Sequence, residues 1–108
     1  MKVIAGCGHP GDINGWTDRA MMRRDSTHHR WSRALRKYVG KTVYLGGGGV
    51  PGLSKGVLES VSLTEKNGHK LVKVRVKDLR SVGSGHALNK GLEGSFEGVL
   101  GSWQILVK

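Results

Sequence analysis

The dipeptide Asn67-Gly68 constrains the fold of this chain most, because it separates two runs of alternating apolar and polar residues. Both central residues of a type I′ turn need positive φ, which Asn and Gly adopt readily, so the dipeptide predicts a hairpin between strands at 55–64 and 69–78. Each face of this hairpin is internally consistent, with the cross-strand pairs Val61–Val74, Leu63–Val72, Glu65–Lys70, Lys66–His69, Ser60–Arg75 and Ser62–Lys73. Glu59 faces Val76 in this register and is the one discordant residue.

Further short strands are predicted on both sides of the hairpin. Alternating or short apolar runs indicate strands at 42–45, 96–100 and 103–107, and residues 3–5 suit an edge strand. The glycine-rich stretches 46–52 and 79–94 are predicted to be loops. A sheet of about five such strands is so small that its edges must meet or be covered.

An amphipathic helix is predicted before these strands. Its apolar side follows a 3-4-7 spacing, with Trp31, Ala34, Leu35 and Tyr38. Gly40 suits the left-handed residue that follows a helix C-terminus. Thr17 or Asp18 is a suitable N-cap, and the polar cluster 25–27 offers a second one. The segment is therefore either one helix or two, at 18–24 and 27–38, with a bend between them.

Together these elements predict a single α+β domain over residues 1–108. Residues 1–40 supply an extended start and the helix, which is expected to pack on a strongly curled antiparallel sheet or on a small barrel. The succession of strand, glycine loop, strand, tight turn and strand in 41–108 resembles the layout of SH3-like small barrels, including those of ribosomal and transcription proteins. An OB-like barrel is the nearest alternative. The resemblance is one of layout, and no functional residue follows from it.

Five cations of the predicted helix share one side. At about 100° per residue they fall within an arc of roughly 80°, next to the apolar arc; they are Arg19, Arg23, Arg30, Arg33 and Lys37. If the segment bends, the first two leave this arc. The chain has 18 Lys and Arg against 8 Asp and Glu, a formal charge of +10, and such a field attracts anionic surfaces. Since Arg forms bidentate contacts with phosphate, we predict a surface that binds nucleic acid, DNA or RNA.

A second basic row is predicted on the polar face of the second hairpin strand, formed by Lys73, Arg75 and Lys77. It would extend the binding surface if the helix lay beside this face. Few aromatic residues remain for stacking on bases, because only Tyr44, Phe96 and Trp16 are expected to be exposed. The pattern therefore favours contacts to the phosphate backbone over stacking on single strands.

Other chemistry has weaker support in the sequence. Cys7 and His9, with His28 or His29, offer three zinc donors without an evident fourth. The same histidines with an Asp could serve a metal-dependent nuclease, although no compact set is visible and isolated surface histidines are the ordinary explanation. The glycine run 46–49 lacks the Gly-Lys-Ser/Thr ending and the following helix of a nucleotide-binding loop. No catalytic residue, metal or cofactor is predicted.

Three function classes remain. The first is a non-enzymatic nucleic-acid-binding protein that uses the basic helix face and the neighbouring strand cations. The second is a protein-binding inhibitor or adaptor of phage or mobile-element type that docks on an acidic partner, and the third is the small nuclease. Cys7 stands alone, the start does not resemble a signal peptide, and no apolar run could span a bilayer, so we expect an intracellular protein without a membrane partner.

Overall fold

The computed structural model describes residues 1–6, 25–47, 52–66, 68–82, 91–101 and 103–108. These residues form one helix and six strands: β1 Lys2–Ala5, α1 Asp25–Arg36, β2 Thr42–Gly47, β3 Ser54–Lys66, β4 His69–Ser81, β5 Gly94–Val99 and β6 Trp103–Val107. The strands pair in the order β1-β6-β2-β3-β4-β5, and every pairing is antiparallel. Among the described residues β1 and β5 do not pair, so the sheet is unclosed. The predicted antiparallel sheet with one helix is confirmed at this level.

The hairpin between β3 and β4 has the predicted register. The pairs Val61–Val74, Leu63–Val72, Glu65–Lys70, Lys66–His69, Ser60–Arg75 and Ser62–Lys73 are all present. Gly68 has φ 81°, as its place in a type I′ turn requires. Both strands are longer than predicted, and β4 runs to Ser81, so the start of the predicted loop at 79–94 was wrong.

Two bulges explain why the alternation appeared to fail. On β3, Leu58 pairs with Val76 and Ser60 with Arg75, so Glu59 is an extra residue without a partner opposite. On β4, Asp78 is the extra residue, and its φ of 55° lies in the left-handed region. A bulge shifts the side-chain alternation by one position. The apolar side chains on each strand therefore keep facing the core on both sides of the bulge.

The sheet is strongly curled around its core. Strands β5 and β6 are separated by three other strands, and spacings of about 4.8 Å would hold them about 19 Å apart in a flat sheet. Phe96 of β5 nevertheless contacts Trp103 of β6, with ring centroids 5.0 Å apart at 87°. Gly98 lies beside these rings, since a Cβ there would come within 2.9 Å of the Phe96 ring. The inner face of the curled sheet thus encloses most of the apolar side chains.

Helix α1 packs against β3, β4 and β1. Leu35 is fully buried, and Trp31 and Tyr38 pack half-buried against the same core. After the helix, Gly40 has φ 84°, the left-handed conformation predicted for it. Its N–H donates to the Leu58 carbonyl at 2.7 Å, and the Leu58 N–H donates to the Lys41 carbonyl at 3.1 Å. These two bonds attach the end of the helix to β3, whereas the predicted helical residues 18–24 lie outside the described part of the chain.

The start of the glycine run differs from the prediction. Gly46 and Gly47 continue β2 and pair with β6, although 46–52 was expected to be irregular throughout. The reason is the packing of Leu53, whose Cδ1 would lie 3.1 Å from a Cβ at Gly46. Glycine is therefore accommodated in the strand because the side chain of Leu53 occupies the space above it.

Candidate nucleic-acid interface

Helix α1 has a buried side and a basic side. His28, Ser32 and Leu35 are buried, and at about 100° per residue they share an arc of roughly 60°. Three exposed cations share a similar arc on roughly the opposite side of the helix, namely Arg30, Arg33 and Lys37. Arg36 and His29, also exposed, border this arc. The contacts that hold the helix on the sheet therefore leave its cations facing solvent.

The helix cations have no acidic partners among the described residues. The ion pairs there join Lys70 to Glu65, and Lys73 and Arg75 to Glu97. Arg33 and Arg36 occupy the last helical turn, where positive charge also interacts favourably with the helix dipole. Arg30 lies a turn or more before that end, so the dipole does not account for it.

Two cations of the predicted strand row, unlike those of the helix, form ion pairs with a described carboxylate. The Lys73 Nζ lies 2.6 Å from one Glu97 oxygen, and the Arg75 Nε lies 3.2 Å from the other. The hydrogen bond from Lys73, its charge, and the charge of Arg75 lower the pKa of Glu97. One carboxylate thus compensates part of the charge of two cations. Lys77, the third member of the row, is exposed and has no ion pair within the described residues.

The helix face and the strand row do not form one continuous surface. Val72, Val74 and Val76 of β4 are buried in the core on which α1 packs. Alternate residues of a strand point to opposite faces, so Lys73 and Arg75 leave β4 on the side away from that core. The row therefore does not extend the helix face in the way that the sequence suggested.

His28 is buried, which corrects its interpretation as a surface histidine. Its ring is fully inaccessible, and its Nδ1 accepts a hydrogen bond from the Val72 N–H at 3.2 Å. The ring also meets Trp31 edge-on, with centroids 4.9 Å apart. Strand β5 ends opposite Lys73, so the imidazole satisfies a backbone group just beyond the last β5 pair. The spacing of 28, 31 and 35 on one helix side was a signal for this position.

Several other predicted residues lie outside the described ranges. These are Arg19, Arg23, Cys7, His9 and Trp16. Within the ranges that the structure describes, no three His, Cys, Asp or Glu side chains are grouped closely enough to hold a metal ion. Over the same ranges, no helix has both the length and the apolar character needed to cross a membrane.

Aromatic side chains offer little surface for stacking. Tyr44 was expected to be exposed but is only 7% exposed. Phe96 is half-buried against Trp103. Among the described residues, the exposed chemistry around α1 is therefore guanidinium and ammonium groups.

Comparisons of the chain with protein-family models, with curated protein sequences and with solved structures found no match.

Proposed function

We propose that this chain is a non-enzymatic nucleic-acid-binding protein that contacts the phosphate backbone through the outer side of helix α1. The observation that carries the proposal is the set of exposed cations Arg30, Arg33 and Lys37, which have no acidic partner among the described residues and lie opposite the side that packs on the sheet. Two of the three are arginines, whose planar guanidinium groups bind phosphate oxygens in pairs.

Electrostatics sets the size of the expected effect. Each duplex phosphate neutralised by a cation contributes about 0.9 to the slope of log affinity against log salt. Three helix contacts therefore give a slope of about −2.7, and the net charge of +10 adds long-range attraction. Binding is expected to depend weakly on base sequence, because contacts to phosphates carry no direct sequence information.

The other predicted contact residues are expected to contribute to binding to different extents. Arg19 and Arg23 remain predicted contacts outside the described residues, and Lys77 remains one on β4. Lys73 and Arg75 are expected to contribute less, because Glu97 already compensates part of their charge. The SH3-like or OB-like identity of the curled sheet and an intracellular location also remain part of the proposal.

A titration of labelled nucleic acid at several salt concentrations tests the proposal. The ligands are a duplex DNA, a single strand and a structured RNA, which distinguish the preferred nucleic acid. The double variant Arg30→Gln/Arg33→Gln should weaken binding several-fold and reduce the salt slope by about 1.8. The matched control is Lys73→Gln/Arg75→Gln, which also removes two positive charges, but from the two residues that are paired with Glu97. Absence of binding by the unmodified protein at low salt would refute the proposal.

The two alternative classes give different outcomes in parallel assays. An acidic protein partner predicts capture of one stoichiometric protein from a nuclease-treated lysate, together with no binding of pure nucleic acid. A nuclease predicts cleavage that needs a divalent metal and is lost in His29→Ala. His28→Ala does not test catalysis, because His28 is a buried part of the helix contact.

A further inference from the structure

A second group of cations lies on the outer face of β3 and β4, away from Glu97. Lys55 and Arg80 are direct cross-strand partners, and both are exposed. Like charges that face each other across two strands repel, which destabilises the pairing. Glu97 relieves the same problem for Lys73 and Arg75. Lys55 and Arg80 have no ion pair within the described part of the chain.

The position of Arg80 depends on the bulge at Asp78. Lys77 pairs with Val57, and Arg80 pairs with Lys55, so three residues of β4 correspond to two of β3. Without the extra residue, the alternation of the strand would turn Arg80 toward the core. The left-handed φ of 55° at Asp78 therefore keeps Arg80 on the same face as Lys55 and Lys77.

An open cavity of about 430 Å³ lies beside these cations. Its lining includes Thr42, which supplies a hydroxyl group, together with Lys55 and Arg80. Ser81 lines it too, but its hydroxyl oxygen accepts a hydrogen bond from the Gly91 N–H at 2.8 Å. Asp78 lines it as well, as the one acidic residue among the lining residues that the structure describes. Two cations and the Thr42 hydroxyl suit an oxygen-rich anion, whereas the Asp78 carboxylate opposes one.

The chain connects this cavity directly to the end of the basic helix. Lys37 precedes Thr42 by five residues, a distance of at most about 18 Å even for an extended chain. Lys41 lies between them and places its ammonium group 5.9 Å from the centre of the Tyr38 ring. Thr42 in turn pairs with Val57 of β3. Thr42, at the cavity, therefore lies within about 18 Å of Lys37, while Lys55 and Arg80 leave the sheet on the face away from α1.

We propose that Lys55 and Arg80, with the hydroxyl of Thr42, form a phosphate site on the outer face of β2, β3 and β4, which a nucleic acid reaches by passing around the end of helix α1. This inference rests on the proposed nucleic-acid binding and gives that function its second contact area. The footprint then runs from Arg30 through Lys41 to Arg80, and the row of Lys73 and Arg75 is outside it. Asp78 weakens the site and limits how tightly a phosphate is held there.

Two double variants with identical changes in charge test the site. Lys55→Gln/Arg80→Gln and Lys73→Gln/Arg75→Gln each remove one lysine and one arginine from the outer face of the hairpin. With a labelled duplex DNA, the first should lower the salt slope by about 1.8 and raise the Kd several-fold, whereas the second should change both far less. The first should also melt no lower than the unmodified protein, because it removes a repulsive pair. Lys55→Gln alone repeats the test with a smaller perturbation.

Asp78→Asn gives a test in the opposite direction. Asn tolerates the left-handed conformation at least as well as Asp, so the bulge and the fold should be retained. Removal of the carboxylate should lower the Kd for duplex DNA in the unmodified background, but not in Lys55→Gln/Arg80→Gln.

The outcomes separate this inference from the proposed function. If Arg30→Gln/Arg33→Gln weakens binding while Lys55→Gln/Arg80→Gln does not, the site is refuted and the helix proposal stands. If the two hairpin variants lose affinity equally, the loss reflects net charge alone and the site is again refuted. If the unmodified protein does not bind at low salt, the function itself fails.

Discussion

The position of the basic face depends on how His28 anchors helix α1, and substitution of this residue gives a quantitative test. In His28→Leu, the Val72 N–H loses its acceptor while the side chain stays large enough to avoid a sizeable cavity. A buried N–H without a partner costs about 1–3 kcal/mol. Loss of the edge-on contact with Trp31 adds about 0.5–1.5 kcal/mol. The expected loss in the free energy of unfolding is about 2–4 kcal/mol.

Two further variants separate the hydrogen bond from general disturbance of the helix. His28→Asn keeps an acceptor, because its Oδ1 can occupy nearly the position of the imidazole Nδ1, and it should recover part of the loss. His29→Leu changes the exposed neighbour and should alter stability by no more than about 0.5 kcal/mol.

The assay is urea unfolding followed by far-ultraviolet circular dichroism, which does not depend on the fluorescence of the neighbouring Trp31. The midpoint and the slope of each transition give the free energy of unfolding. If His28→Leu is as stable as His29→Leu, the imidazole does not anchor the helix in the way described. If His28→Asn is no better than His28→Leu, the acceptor at Nδ1 has no role.

Three other predictions use the same unfolding assay. Trp31→Ala should cost about 2–3 kcal/mol, below the value for a fully buried ring because Trp31 is half-buried, whereas Arg30→Gln should be nearly neutral; equal losses would mean that the helix faces are assigned wrongly. Gly56→Ala should cost about 1–3 kcal/mol, because a Cβ there would lie 2.7 Å from the Lys77 carbonyl oxygen, and a neutral result would contradict the close approach of β3 and β4. The pKa of Glu97 is lowered in the folded protein. Its ion pairs therefore stabilise the fold at a pH above the ordinary pKa of Glu, and this stabilisation is lost as the pH falls through the lowered pKa. Glu97→Gln should therefore flatten the acid side of the stability profile slightly, and an unchanged profile would show that the pairs add nothing.

The hairpin could be predicted from the sequence because two independent signals agreed. The dipeptide Asn67-Gly68 set the turn, and the alternation of valines with polar residues set the faces. The bulges had a signal too. Core residues on β3 change from Leu58 to Val61, and on β4 from Val76 to Leu79, a step of three where a regular strand has two. A step of three within a strand indicates one extra residue, and Glu59 and Asp78 are those residues.

The site was harder to predict, because it depends on contacts between distant parts of the chain. His28 looked like a surface residue because histidine is often exposed. Its burial is explained by the hydrogen bond that it accepts from the Val72 N–H, a group distant in the sequence. The pairing of Lys55 with Arg80 agrees with the regular register, because the bulges at Glu59 and Asp78 offset each other, but regular strands would turn both side chains toward the core. The compensation of Lys73 and Arg75 required the placement of β5, which brings Glu97 beside them.

The most direct test of the central claim is a nuclear magnetic resonance titration of the labelled protein with a short DNA duplex at low salt. The account predicts the largest shifts at the side-chain Nε–H groups of Arg30 and Arg33, and small shifts at Arg75, whose Nε–H is already bonded to Glu97. Binding that shifts the resonances of Arg75 and leaves those of Arg30 and Arg33 unchanged would contradict it.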